Sequence, residues 1–244
     1  VIAQRPGPGT GLPTWTAQGD LNLAIHSGHG EFPRLVIGVS DPESSFELIQ
    51  HALNFAEKFQ IPVIVLTEKL VVEAKTMVDP FTQNNIPIER GLITDQSELD
   101  ALESSDRFEI TESGLSKRWV PGASKTTSFA NGDEHEEDGS LTEEAEPSKQ
   151  MYEKRIRKEK LIVESIPEPK IYGPESGAKI SFIGWGGVKN TVLDSLESLK
   201  EEGVSVNYLH FDYVWPLKTK KLKEFFANNE NVHLIENNYH GQLG

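Results

Sequence analysis

Apolar positions along the 244-residue chain form two blocks in which strand-like runs alternate with helix-like spacing. In the first block, short apolar runs at 1–3, 34–39 and 63–66 predict buried strands. The sequence Asp41-Pro42-Glu43 predicts a helix start, with an acidic N-cap, a proline at the first position and an acid in the first turn. The apolar residues that follow at helical spacing are Phe46, Ile49, Leu53, Ala56 and Phe59. Strand, helix and strand in this order predict a parallel sheet covered by helices.

A second block of alternating elements begins after a proline-rich stretch. Its prolines predict an extended linker and are Pro167, Pro169 and Pro174. The strands predicted beyond it are 179–183, 204–209 and 232–235, and the helices between them are about 190–202 and 218–228. We therefore predict the α/β class. The expected division is a first domain of residues 1–112, a connecting segment of residues 113–172 and a second, small parallel α/β domain of residues 173–244.

The region between the two blocks is polar and acidic. Helices are predicted at 70–77 and 151–163, but residues 80–148 lack sustained periodicity and predict a long loop. Within that loop, the apolar island 119–122 is expected to pack against a core. The net charge of the chain is −14, and −11 of it falls in residues 95–147, where fifteen acidic residues accompany four basic ones.

The acidic segment is followed at once by a basic helix with six Lys/Arg residues at 149–160. We interpret the two as complementary charges within one chain. A solvated surface or a docking face for a basic partner is the alternative for the acidic segment, and a nucleic-acid patch is the alternative for the helix. The overall negative charge argues against nucleic acid, because neutralising phosphates needs a basic face.

Composition narrows the function classes further. The chain contains no cysteine, which rules out disulfides, thiolate-ligated zinc and ordinary iron–sulfur clusters within these residues. No apolar run reaches the length of a membrane span, and no secretory signal is visible, so no membrane partner and a cytoplasmic location are expected. The chain begins with Val1 rather than methionine, and we expect it to be part of a longer subunit.

The loop Gln4–Asp20 is the strongest candidate for chemistry. It combines glycines, prolines and threonines with Arg5, and it follows the first strand, where ligands bind in parallel sheets. From Ala17 onward the pattern turns helical, so the loop is expected to open onto a helix N-terminus that favours an anion. An ordinary structural turn is the alternative. Two standard phosphate motifs fail, because the loop has no lysine and Thr14 stands where a dinucleotide fingerprint needs glycine.

Other candidate motifs are weaker. Gly184-Trp-Gly-Gly187 follows a strand, but Lys189 replaces the third glycine of a dinucleotide fingerprint, so nucleotide binding is disfavoured. His26 and His29 have neighbouring glycines that break the helix needed to bring them together, so we predict no metal site. No Ser/His/Asp or Cys/His nucleophile system is evident, and no residue is named as catalytic.

Several motifs, in order along nearly the whole chain, resemble the alpha subunit of the 2-oxoacid:ferredoxin oxidoreductases. Residues 70–115 carry no such signature. The matching stretches are Arg5-Pro-Gly-Pro-Gly-Thr-Gly-Leu-Pro-Thr14, Gln18-Gly-Asp-Leu21, Gly28-His-Gly-Glu-Phe-Pro33, Asp133-Glu-His135 with Gly139, Met151 with Lys154-Arg155, and Glu236-Asn-Asn-Tyr-His-Gly-Gln242.

The resemblance implies a fold and an activity. The fold would be part of a pyrimidine-type thiamine-diphosphate-binding domain followed by a truncated transketolase C-terminal-like domain. The activity would be coenzyme A-dependent oxidative decarboxylation of a 2-oxoacid, of 2-oxoglutarate or pyruvate type, with electrons passed to ferredoxin. Arg5 and Thr14 match the positions that hold the substrate. Gly7, Gly9, Thr10 and Gly11 would shape the loop around it.

The resemblance also implies that much of the site lies elsewhere. Thiamine diphosphate with Mg²⁺ would be completed by upstream sequence and by a beta subunit, and iron–sulfur clusters would sit on a partner chain of a hetero-oligomer. These residues alone would then be inactive. The sequence departs from the family pattern at Gly9, where serine is expected, and at Trp15, where arginine is expected, which leaves the substrate open.

Three alternatives stay open at this point. The chain could belong to another transketolase-like thiamine diphosphate enzyme, or it could be a non-catalytic assembly module of such a complex. It could also be an acid-rich interaction protein without a small-molecule site, although two clear α/β units argue against that.

Overall fold

The computed structural model describes residues 1–13, 15–82 and 85–244. The first unit is built on a parallel sheet whose strands lie in the spatial order β1, β3, β2. Its elements, in chain order, are β1 (Ile2–Gln4), α1 (Leu21–His26), β2 (Leu35–Gly38), α2 (Pro42–Phe59), β3 (Val63–Glu68) and α3 (Lys69–Val72). The three predicted strands and the long helix are confirmed, whereas the helix predicted at 70–77 covers only Lys69–Val72.

The start of α2 has the capping chemistry that its sequence predicts. The Asp41 carboxylate accepts a hydrogen bond from the Ser44 backbone N–H at 2.7 Å, and the Ser44 hydroxyl accepts one from the Asp41 N–H at 3.0 Å. This reciprocal pair satisfies two amides that a helix terminus otherwise leaves without partners.

The middle of the chain and the second unit complete the element list. It continues with α4 (Gln96–Asp100), α5 (Ala145–Ser165), β4 (Lys170–Tyr172), β5 (Ile180–Trp185), α6 (Val188–Glu201), β6 (Val206–Phe211), β7 (Tyr213–Trp215), α7 (Lys220–Asn228) and β8 (Val232–Ile235). The second sheet has the order β4, β6, β5, β8, in which β5 lies parallel to both β6 and β8. The predicted parallel α/β unit is confirmed, and β4 adds an antiparallel edge strand within the stretch expected to be linker.

The two units are joined by strand pairing and by a common hydrophobic core. After β6 ends at Phe211, the chain turns at Asp212 and β7 pairs antiparallel with β2 of the first sheet. In β2, Leu35 and Ile37 join the core beneath α2 and α5, while Val36 joins a second core with Trp185 of β5. Alternate residues of a strand face opposite sides of its sheet. The second unit therefore covers the face of the first sheet that α2 and α5 leave open.

The acidic segment lies against α5, and the expected complementarity is confirmed by an ion pair. The Arg155 guanidinium donates two hydrogen bonds to the Glu134 carboxylate, at 2.8 and 2.5 Å. The hydrogen bond from Arg155 holds the pKa of the Glu134 carboxyl below its usual range and outweighs burial, which acts to raise that pKa. Trp119 of the apolar island is buried, as expected.

Two lysines of α5 are buried without a carboxylate partner among the described residues. The Lys154 ammonium donates to the Phe108 carbonyl at 2.6 Å, and the Lys158 ammonium donates to the Gln60 carbonyl at 3.3 Å. Burial lowers the pKa of each to about 8, helped at Lys154 by the charge of Lys158 and at Lys158 by that of Arg107.

These lysines predict a stability that rises with pH. Between about pH 8 and the ordinary lysine pKa of 10.5, the unfolded chain binds protons that the folded chain has released. The free energy of unfolding therefore increases through this range, and below it the cost of burying both charges is felt in full. We expect the urea midpoint to rise from pH 7.5 to 10 in wild type, and the rise to be smaller in the double variant Lys154→Met, Lys158→Met.

The exposed residue Lys160 of the same helix provides the matched control. Lys160→Met should retain the wild-type slope of urea midpoint against pH. Equal slopes in wild type and the double variant would show that the two buried lysines do not titrate in this range.

No helix in the described ranges is long and apolar enough to cross a bilayer.

Candidate functional site

The candidate site lies at the carboxyl ends of β1 and β3, where parallel sheets place their ligands. Gln4 pairs with Glu68 at the last position of the two strands, and Arg5 follows directly. A cavity of about 160 Å³ opens here, with Arg5 on one side and Trp15 and Lys69 among its other lining residues. The predicted placement of the loop at strand ends is confirmed.

The Arg5 guanidinium is exposed, and no carboxylate of the described residues forms an ion pair with it. Asp20 is the acid that senses its charge: burial raises the Asp20 pKa, and Arg5 opposes that rise. The neighbouring cation Lys69 is engaged with Glu73 at 3.4 Å and lies 5.9 Å from the centre of the Trp15 ring. A charge-assisted, bidentate contact from Arg5 to an external carboxylate is therefore open.

The loop after Arg5 is closed by a backbone hydrogen bond. The Leu12 N–H donates to the Pro6 carbonyl at 3.1 Å. Gly9 and Gly11 both have left-handed backbones, with φ of 61° and 58°. A Cβ at Gly11 would lie 1.7 Å from the Pro6 carbonyl oxygen, whereas one at Gly9 would meet nothing within 4 Å. The fold of this loop therefore requires glycine at position 11.

The remaining predicted site residues are Gly7, Thr10 and Thr14. Gly7 and Thr10 lie on the exposed part of the loop with Gly9 and Gly11. Thr14, the second predicted substrate-binding residue, lies outside the described residues. Their roles toward a substrate stay predictions.

The helix predicted after the loop is confirmed, but its predicted start near Ala17 is wrong. Helix α1 begins at Leu21, not near Ala17, and has only six residues, with Asp20 at its N-cap. The stretch before it is non-helical because the second unit takes up its hydrogen-bonding groups. The prediction of an anion site at the loop therefore loses the support of a helix dipole and rests on Arg5 and the loop amides.

Gln18 is a residue of this site that sequence reasoning did not single out. It is fully buried, and its side-chain amide donates to the Trp185 carbonyl at 2.6 Å while its side-chain oxygen accepts from the Asn237 N–H at 2.8 Å. Its backbone N–H also donates to the Asn237 carbonyl at 2.8 Å. All of these partners belong to the second unit. The motifs at 18–21 and 236–242 gave a signal individually, but only the structure shows that they contact each other.

Glu68 was also missed. It is 2% exposed and ends β3, where it accepts a hydrogen bond from the Gly187 N–H at 3.0 Å and another from the Thr16 hydroxyl. A Cβ at Gly187 would lie 2.4 Å from the Glu68 carboxylate oxygen. The absence of a side chain at Gly187 thus allows close approach of Glu68, which explains this glycine without a nucleotide. A lone acid after an apolar strand was the available signal.

The described residues contain no group of three or more His, Cys, Asp or Glu side chains arranged to hold a metal ion. A Mg²⁺ that binds a diphosphate takes one or two protein carboxylates and fills its other positions with phosphate oxygens and water, so it needs no such group.

Residues 1–154 match the family model described as "Pyruvate flavodoxin/ferredoxin oxidoreductase, thiamine diP-bdg". The chain belongs to this family.

The chain is similar to "2-oxoacid:ferredoxin oxidoreductase subunit alpha" of Saccharolobus solfataricus, with 37% identity over 98% of this chain and 38% of the relative. Another similar protein is "2-oxoglutarate synthase subunit KorA" of Methanocaldococcus jannaschii, 26% identical over 93% of this chain and 59% of the relative. This chain thus spans little more than a third of the first relative.

A solved structure supports the same assignment. The 2-oxoglutarate:ferredoxin oxidoreductase from Magnetococcus marinus, with 2-oxoglutarate, coenzyme A and succinyl-CoA bound, superposes with a TM-score of 0.87 at 32% identity. The match covers 99% of this chain and 41% of that one. The family resemblance and the α/β class predicted from sequence are confirmed, together with a thiamine-diphosphate-binding domain in the first 154 residues.

Proposed function

We propose that this chain is part of the alpha subunit of a 2-oxoacid:ferredoxin oxidoreductase. The reaction is coenzyme A-dependent oxidative decarboxylation of a 2-oxoacid, of 2-oxoglutarate or pyruvate type, with the electrons passed to ferredoxin. The observation that carries the proposal is the Arg5 guanidinium, exposed beside a cavity at the carboxyl ends of two parallel strands and unpaired with any described carboxylate. Family membership and the names of the relatives support the reaction class.

Arg5 and Thr14 orient the substrate. The guanidinium of Arg5 holds the 2-oxoacid carboxylate with two parallel hydrogen bonds, and the Thr14 hydroxyl fixes the remaining oxygen. This interaction orients the bound 2-oxoacid and does not drive cleavage of the carbon–carbon bond, because the carboxylate leaves as uncharged carbon dioxide. Binding that is equal in ground and transition state lowers KM without raising kcat. Arg5 is therefore an orienting residue, and Gly7, Gly9, Thr10 and Gly11 shape the loop that presents it.

The remaining machinery lies outside these residues. When bound, thiamine diphosphate supplies the electron sink for the carbanion formed by decarboxylation. In keeping with the family that the chain belongs to, we place the completion of the site for the diphosphate and its Mg²⁺ on upstream sequence and on a beta subunit. These 244 residues contain no cysteine to hold an ordinary iron–sulfur cluster, and in keeping with the family resemblance we place the cluster on a partner chain. The working enzyme is then a hetero-oligomer in the cytoplasm that docks ferredoxin.

The test is a dye-reduction assay on the full-length subunit co-expressed with the product of its neighbouring gene. Coenzyme A-dependent reduction of a viologen dye is followed with pyruvate, 2-oxoglutarate and a branched-chain 2-oxoacid in turn. Reduction with one of them establishes the activity and its substrate. An assembly that holds thiamine diphosphate and its clusters, yet reduces no dye with any of the three, would contradict the proposal and favour a non-catalytic assembly role.

A further inference from the structure

The loop that carries Arg5 is held at its downstream end by a buried carboxylate. Glu68 accepts a hydrogen bond from the Thr16 hydroxyl with one oxygen, and with the other it accepts the Gly187 N–H at 3.0 Å. Its strand partner is Gln4, the residue before Arg5. Glu68 thus lies beside Gln4 at the upstream end of the loop, and it is hydrogen-bonded to Thr16 at the downstream end.

Glu68 is a buried carboxyl group whose hydrogen-bond partners are two uncharged donors. Burial raises its pKa, opposed by the hydrogen bonds from Thr16 and Gly187, and no described cation forms an ion pair with it. The two contacts are both donors, so they favour the ionised form. Gly187 is also the N-cap residue of the 14-residue helix α6, whose dipole favours a negative charge at this end.

The same contact connects the two units. Gly187 belongs to the second unit, whereas Thr16 continues from the substrate loop of the first. Asn237 of the second unit adds a hydrogen bond from its side-chain amide to the Thr16 carbonyl at 3.3 Å. By contrast, residues 7–13 are exposed, and their described backbone contacts are with Pro6 and Trp15. The position of the loop is therefore set mainly at its ends.

Building on the proposed function, we propose that Glu68 is a positioning residue for the 2-oxoacid: through Thr16 it fixes the Arg5 loop relative to the second unit. Glu68 itself does not touch the substrate in this role. A loosened Thr16 contact should let the loop sample positions in which Arg5 no longer meets the substrate carboxylate, and small displacements of binding groups are costly. If the hydrogen bond between Thr16 and Glu68 served stability alone, its loss would leave substrate binding unchanged.

The experiment compares Thr16→Val, which keeps the shape but removes the donor, with Thr16→Ser, which keeps the donor. Both are made in the full-length subunit within its assembled enzyme. Hydrogen exchange of the amides of residues 7–13 is measured first, and KM values for the 2-oxoacid and coenzyme A second. We expect Thr16→Val to speed loop exchange and to raise KM for the 2-oxoacid about tenfold, with KM for coenzyme A unchanged. Thr16→Ser should restore both within about twofold.

The outcomes separate this inference from the proposed function. Unchanged loop exchange in Thr16→Val overturns the positioning role, and so does a rise in both KM values together. If wild-type enzyme oxidises none of the tested 2-oxoacids, the proposed function fails. Exchange of residues 7–13 still decides whether the contact with Glu68 orders the loop, because that readout needs no turnover.

Discussion

Arg5→Ala in the assembled enzyme is expected to raise KM for the 2-oxoacid roughly 10- to 100-fold while KM for coenzyme A changes by less than about twofold. The guanidinium is exposed at the cavity and has no carboxylate partner among the described residues. Its removal therefore costs little stability and acts on an external anion. The size follows from the loss of hydrogen bonds between charged groups, which contribute about 1.5–3 kcal/mol. Steady-state kinetics with each substrate varied in turn provides the measurement.

Two further variants sharpen this result. Arg5→Lys retains the charge but loses the planar pair of donors, so its KM should fall between those of wild type and Arg5→Ala. Arg90→Ala removes another exposed arginine, from the segment that lies along α2, and should leave both KM values unchanged. Equal effects of Arg5→Ala on the 2-oxoacid and on coenzyme A would refute a carboxylate-binding role.

Gly11→Ala is the second substitution with a large expected effect. The new Cβ would lie 1.7 Å from the Pro6 carbonyl oxygen, the atom that accepts the loop-closing hydrogen bond from Leu12. The chain can relieve this overlap only by opening the loop next to Arg5. A displacement of that kind is expected to lower kcat/KM for the 2-oxoacid about 100-fold. The urea midpoint should change little, because residues 7–13 are exposed.

Gly9→Ala is the matched control for this substitution. Gly9 shares the left-handed φ, so alanine there costs about 1–2 kcal/mol of backbone energy, but its Cβ would meet no neighbouring atom. The family pattern that the sequence resembles has serine at this position. Activity should therefore fall much less in Gly9→Ala than in Gly11→Ala. Similar losses in both variants would mean that left-handed backbone, and not contact with Pro6, dominates.

Local sequence chemistry predicted much of the first unit. The acidic N-cap, proline and first-turn acid at 41–43 specify where α2 begins, and the apolar spacing after them specifies a helix. The face predicted to be buried is wrong except at Phe59: Ile49 and Leu53 are exposed. The buried residues of α2 are Leu48, Ala52, Phe55 and Phe59. Likewise, short apolar runs identified β2, β3 and β5 because buried parallel strands need apolar residues on both faces. These features depend on residues close in the chain, which a single sequence displays.

Contacts between distant residues were not predictable in the same way. The strand Tyr213–Trp215 is three residues long and pairs with β2 of the other unit. The polar residues Thr16 and Gln18 precede a helix-like pattern, and the helix begins only at Leu21 because the preceding groups bond to residues 68, 185 and 237. Partners more than 50 positions away leave no local periodicity.

The sequence by itself determined the α/β class, the order of the main elements, the family and the choice of Arg5 as the candidate anion-binding residue. Each of these follows from side-chain type and short-range spacing, or from motifs that stand in order along the chain. Only the tertiary structure decided that the second unit covers one face of the first sheet, that Glu68 accepts a hydrogen bond from Thr16, and that Gln18 donates one to Trp185. Buried polar groups must find partners wherever the fold brings them, and that depends on how the two sheets pack.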